Sequence, residues 1–94
     1  MMKWRFVYIV YDIKNDTIRT YLIRQLIYFG LHRIQYSVFN GLISLEDKKQ
    51  LLDKINNIEI GAEDKICIIE LCDRCKENVI EIGKKIEVKE HVIL

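Results

Sequence analysis

Apolar positions along this chain alternate between unbroken short runs and runs spaced every three or four residues, and the changes of period mark its elements. The first run, Phe6-Val7-Tyr8-Ile9-Val10-Tyr11, is continuous, rich in β-branched and aromatic residues, and stops at Asp12, which predicts a strand buried on both faces. Ile18, Leu22, Leu26 and Phe29 then recur at helical spacing, predicting an amphipathic helix over 17–29 that Asp16 caps and Gly30 terminates. Residues 34–44 return to a β pattern. Asn40-Gly41 is a strong hairpin dipeptide but leaves a short returning strand, whereas a bend nearer Ser37 divides the region evenly; either way two antiparallel strands are expected. Ser44, with Asp47 at the third position, opens a second helix whose buried stripe is Leu45, Leu52, Ile55 and Ile58 and which frays at Asn56-Asn57. A further apolar strand over 66–71, a tight turn over 72–76, a short strand over 78–82 and a mixed apolar and charged tail over 86–94, patterned as an edge strand, complete the chain.

Strand, helix, two strands, helix, strand is the order of a ferredoxin-like βαββαβ sandwich, an antiparallel sheet with both helices on one face. The later strands are surplus to that unit. A tail over 84–94 that cannot rejoin its own sheet is expected to pack on the sheet of a partner subunit, making a homodimer. Residues 1–94 are read as one domain, too short for two.

Composition narrows the function classes. Half the residues are hydrophobic and 31% are charged, which supports a packed core and argues against disorder. A formal net charge of +1 supplies no general field for a polyanion, so any nucleic acid must be held by a local basic patch. The apolar run near the start ends at Asp12 with no small-residue cleavage site after it, and no stretch reaches the ~18 apolar residues a membrane span needs. Three cysteines, Cys67, Cys72 and Cys75, cannot all pair within one chain, which favours a reduced, cytoplasmic setting.

Asp12 is the first candidate for chemistry, because ligands collect at the C-terminal ends of buried strands; its plainer reading is a turn residue that closes the strand. One carboxylate holds Mg²⁺ weakly, but two brought together across a dimer axis hold an ion that keeps several waters and assists phosphodiester hydrolysis. Lys14, Arg19, Arg24 and Arg33 are the nearby basic residues; Arg19, one turn into the helix, can reach a phosphate with its planar fork, although solvated surface is the commoner fate of each. Phe6, Tyr8 and Tyr11 resemble weakly a base-stacking strand, against the alternative of core packing. Cys72 and Cys75 lack the second ligand pair of a structural zinc site, the turn-rich segment around them does not have the helix-opening pattern of a thioredoxin-type redox pair, and His32 and His91 stand at no ligand spacing. Glycine signatures of nucleotide-binding loops are absent.

Val10-Tyr11-Asp12-Ile13 closing the first strand, Arg19 in the helix, Gly30-Leu31 after it and the stretch Arg33-Ile34-Gln35-Tyr36-Ser37-Val38-Phe39-Asn40-Gly41 together resemble the CRISPR-associated endoribonuclease family, the smaller of the two core proteins of spacer acquisition. The resemblance spans nearly the whole chain, including the turn from Leu71 to Cys75. It implies a ferredoxin-like homodimer in which the two Asp12 share one Mg²⁺ and phosphodiesters of RNA or double-stranded DNA are hydrolysed. It implies that Arg19, Arg33 and Phe39 handle nucleic acid or maintain the site; Arg19 or Arg33 is expected to steady charge on phosphate, and Tyr11, Lys14 and Arg24 are expected among the nucleic-acid-binding residues. Tyr21 departs from members that carry a second arginine there. It also implies a bridging role beside a CRISPR integrase subunit. Three other readings stand beside this one: a non-catalytic DNA-binding scaffold for the integrase, a toxin-like ribonuclease on the same fold, and a small-ligand regulatory module unrelated to nucleic acid.

Overall fold

The computed structural model describes residues 3–83. Its first strand, β1 (Trp4–Asp12), occupies the interior of a four-stranded sheet, where seven consecutive residues pair with β3 (Val38–Ser44) on one side and seven with β4 (Lys65–Leu71) on the other. β2 (His32–Gln35) flanks β3, giving the order β2-β3-β1-β4 with every pairing antiparallel.

The helices α1 (Asp16–Tyr28) and α2 (Leu45–Asn56) both lie on one face. Val7, Ile9 and Tyr11 of β1 meet Leu22, Leu26, Phe39, Ile43 and Leu51 there in one core. The expectation that β1 is buried on both faces is therefore corrected: successive strand residues point to opposite sides, and Val10 on the other side is exposed. An unbroken apolar run cannot say whether its second face is covered.

Local chemistry explains the element boundaries. α1 is capped by Asn15, whose side chain accepts the Ile18 N–H at 2.9 Å, while Asp16 sits inside the first turn; the capping assignment to Asp16 is thus one residue late. Gly30 follows α1 with φ +87°, a conformation that favours glycine. The β2–β3 reversal is made by Tyr36 and Ser37, and Asn40-Gly41 lies inside β3. Gly41 serves close packing there: a Cβ would come within 3.1 Å of Leu31 Cδ2. Ser44 caps α2 as expected, its hydroxyl accepting the Asp47 N–H at 3.1 Å. The fully buried stripe of α2 is Leu51 and Ile55; Leu52 lies at its margin and Ile58 packs on the core from beyond the helix end.

Glu70 of β4 ties three elements together, accepting from Lys48 of α2 and pairing with Arg5 Nε of β1 at 3.2 Å. The bond from Lys48, followed by the charges of Lys48 and Arg5, outweighs desolvation and holds its carboxyl below the usual carboxylate range. After β4, residues expected to form a tight turn make a short helix, α3 (Asp73–Glu77), capped by Cys72. The strand expected over 78–82 is not formed; the chain there is irregular and runs beside Tyr8, Ile34 and Gln35. The tail expected as a strand over 84–94 lies outside the described residues.

Candidate active site

At its C-terminal end β1 delivers two side chains to opposite sides of the sheet. Asp12, opposite Lys65 of β4, belongs with Phe6, Tyr8 and Val10 to the face that α1 and α2 leave uncovered. Its carboxylate is 70% exposed and is bonded to Lys14 Nζ at 2.9 Å. Tyr11 points the other way, into the core.

The loop leaving Asp12 is held from two directions. Arg19, one turn into α1, donates from Nη1 to the Ile13 carbonyl at 2.8 Å and pairs with Asp16. On the other side Asp64, just before β4, accepts the Lys14 N–H on Oδ1 at 3.1 Å and the Gly61 N–H on Oδ2 at 2.9 Å. Asp12 is thereby mounted on a strand end whose continuation has little freedom to move.

A second cluster lies beneath the strand end. The Tyr11 hydroxyl donates to the Tyr36 carbonyl at 2.9 Å and its backbone N–H donates to the Ser37 carbonyl at 3.0 Å, so the β2–β3 turn is docked on β1 beside Asp12. Arg33 Nη2 donates to the Tyr11 hydroxyl at 3.4 Å, and its guanidinium stands 5.5 Å from the centre of the Phe39 ring. Tyr11 and Phe39 are 3% and 0% exposed, so neither ring is available to a ligand on this protomer. Both serve the site from below, as the packing against which Arg33 and the strand end are set.

The remaining basic candidate, Arg24, is elsewhere. It lines a groove on the helical side with Gln25, Ile27, Tyr28, Gln50 and Lys54. Phe6 and Tyr8 stand edge to face on the uncovered side with ring centres 5.5 Å apart. Lys76 of α3 lies over the Phe6 ring at 5.0 Å.

Among the described residues no group of three or more His, Cys, Asp or Glu is placed to hold a metal ion. Asp12 offers an exposed carboxylate, a hard oxygen donor of the kind Mg²⁺ takes.

Residues 5–79 match the family model described as CRISPR associated protein Cas2. The chain belongs to the Cas2 family. It is 39% identical over 75 residues to "CRISPR-associated endoribonuclease Cas2 1" of Archaeoglobus fulgidus, an alignment covering 80% of each chain. Among solved structures it is similar to a hypothetical protein of Thermus thermophilus, with a TM-score of 0.74 and 24% identity over 90% of this chain and 98% of that one. It is also similar to a chain of a partial Cas6-RT-Cas1–Cas2 complex, with a TM-score of 0.58 and 24% identity, covering 83% of this chain and 90% of that one. These two likenesses show a shared fold. No described helix is long and apolar enough to cross a membrane.

Reading the sequence missed Asp64, Asn15 and the two turn carbonyls that receive Tyr11. Asn15 was legible, standing three positions before the amide it accepts. Asp64 carried a weaker signal, an acid three residues after Gly61, which is the spacing of the local bond it makes. Its contact with Lys14, 50 positions away, had none.

Proposed function

We propose that this chain is a metal-dependent endonuclease of phosphodiester bonds, working as a homodimer with its two Asp12 carboxylates at one shared site. The carrying observation is the position of Asp12, an exposed carboxylate at the rim of an apolar sheet face on which Leu42 and Ile69 are 50% and 43% exposed. The strand order and the placing of both helices on one face support a ferredoxin-like sandwich, whose other face, with Leu42 and Ile69 exposed, is the surface proposed for pairing. In a pairing of two copies by equivalent patches, a two-fold axis passing beside the end of β1 sets the two Asp12 carboxylates next to each other.

Mg²⁺ suits this arrangement, since it takes one or two carboxylates and retains water. When bound there it supplies a Lewis acid for a phosphate oxygen and lowers the pKa of a water. The chain's own residues do the rest. Asp12 presents the oxygen donors. Lys14, in its ion pair with Asp12, brings a positive charge to the point where a phosphate must arrive. Arg19, anchored through Nη1 with its side chain 37% exposed, is the residue placed to steady charge on phosphate. Arg33 acts through Tyr11 and Phe39, holding the end of β1 in place as a positioning residue.

The relative from Archaeoglobus fulgidus is named an endoribonuclease, which supports RNA as a substrate, and duplex DNA is the second substrate to test. Likeness to a chain in a complex that contains Cas1 supports a role bridging an integrase. The free cysteines support a reducing, cytoplasmic setting.

The test is cleavage of single-stranded RNA and of duplex DNA by rigorously purified protein, with and without Mg²⁺. Asp12→Asn is expected to lower the Mg²⁺-dependent rate by about 100-fold or more, equivalent to ~2.7 kcal/mol of barrier, without abolishing salt-sensitive DNA binding. Unchanged cleavage by Asp12→Asn would overturn the assignment. DNA and integrase binding with no Mg²⁺-dependent cleavage by the native protein would leave the purely architectural role in its place.

A further inference from the structure

The end of β4 carries a pair of groups that the nuclease site does not use. Cys72 caps α3 through its sulfur, Sγ accepting the Cys75 N–H at 3.4 Å, while the Cys72 carbonyl accepts the Lys76 N–H at 2.9 Å. The Cys72 sulfur thus lies against the backbone of Cys75, across the first turn. Both residues are exposed and neither is in a disulfide. Cys67 is set apart, within β4 opposite Val10.

The two thiols are unequal. The bond from the Cys75 amide holds Cys72 below the usual thiol range, and the neighbouring Cys72 side chain pushes Cys75 up. A more acidic thiol beside a resolving one is the division of labour that thiol–disulfide exchange needs. A tetrahedral metal site would need two further ligands, and no third His, Cys, Asp or Glu joins the pair among the described residues.

We propose that Cys72 and Cys75 form a redox-active dithiol that exchanges with low-molecular-weight disulfides and closes as an intramolecular disulfide across the first turn of α3. The Cys72 thiolate attacks one sulfur of the small disulfide, expelling one thiolate and forming a mixed disulfide. The Cys75 thiolate then attacks Cys72 Sγ and expels the second. Two electrons pass from the protein to the small disulfide, and the two thiol protons end on the two small thiols released. The new bond ties α3 to the end of β4, fixing the turn that sets Lys76 over Phe6 on the uncovered face.

The experiment equilibrates the full chain with mixtures of reduced and oxidised glutathione, quenches with acid, alkylates with N-ethylmaleimide and reads intact and peptide masses. Of the three cysteines, all take label under reducing conditions, and only Cys67 is expected to do so under oxidising ones, with a Cys72–Cys75 link inside one chain. Cys75→Ser is expected to trap glutathione on Cys72, whereas Cys67→Ser leaves the transition unchanged. Retention of all three labels at every ratio, a link between chains or to Cys67, or protection that EDTA reverses would each overturn the proposal.

Discussion

At the residue scale the site divides into a group that faces solvent and groups that hold it there. Asp12 is exposed and paired only at the surface, so Asp12→Asn is expected to change unfolding free energy by less than ~0.5 kcal/mol. Phe39 is fully buried beneath Arg33, and Phe39→Ala is expected to cost about 3–5 kcal/mol in urea unfolding. A variant pair with the opposite pattern would show that the two roles have been exchanged. Asp12 was legible in the sequence because a carboxylate ending an apolar strand is conspicuous. The burial of Tyr11 and Phe39 was not, because which side of a strand is covered depends on where distant helices pack. Arg33 shows the same limit in part: Phe39 is its near partner across the β2–β3 hairpin, but only the folded chain sets it against Tyr11, 22 positions away.

Elements meet at two carboxylates, and each makes a prediction. Asp64 joins the loop after β1 to the turn before β4, so Asp64→Ala leaves the Lys14 and Gly61 amides without that acceptor. A loss of about 1–2 kcal/mol is expected, with faster amide hydrogen exchange at those two residues; unchanged exchange would show that the clamp is not holding the loop. Glu70 couples α2 and β1 to β4 through Lys48 and Arg5. Its pKa is lowered on folding, so its stabilisation is fully present above the ordinary carboxylate pKa of ~4.3 and is lost as pH falls through the depressed value. Glu70→Gln is therefore expected to be less stable than the native protein at neutral pH by about 0.5 kcal/mol, the group being partly solvated, and equally stable in strong acid. A stability difference that persisted in acid would assign the effect to packing. The helices and the Ser44 cap were readable from spacing and capping residues. The β2–β3 turn was harder, because Asn40-Gly41 has the composition of a hairpin and is used instead to let Leu31 approach β3. Helix α3 was hidden by its length, since Asp73–Glu77 spans too few residues to display a periodicity.

For the whole molecule the decisive feature is a sheet with one covered and one open face. Leu42 stands half-exposed on the open side, and Leu42→Glu is expected to shift sedimentation from dimer to monomer while leaving the helix and sheet content unchanged. In the proposed shared site each chain brings one Asp12, so cleavage is expected to fall with the dimer population. The near-balance of charge, a formal +1, also bears on this scale: it supplies no general field for a polyanion, so the proposed nucleic-acid binding would rest on local residues such as Lys14 and Arg19. The central claim is that one ion is shared by two chains. Calorimetric titration of Mg²⁺ into the purified protein is the test: one ion bound per two chains, and no such binding by Asp12→Asn, is expected, whereas one ion per chain, or binding undisturbed by that substitution, would rule the shared site out.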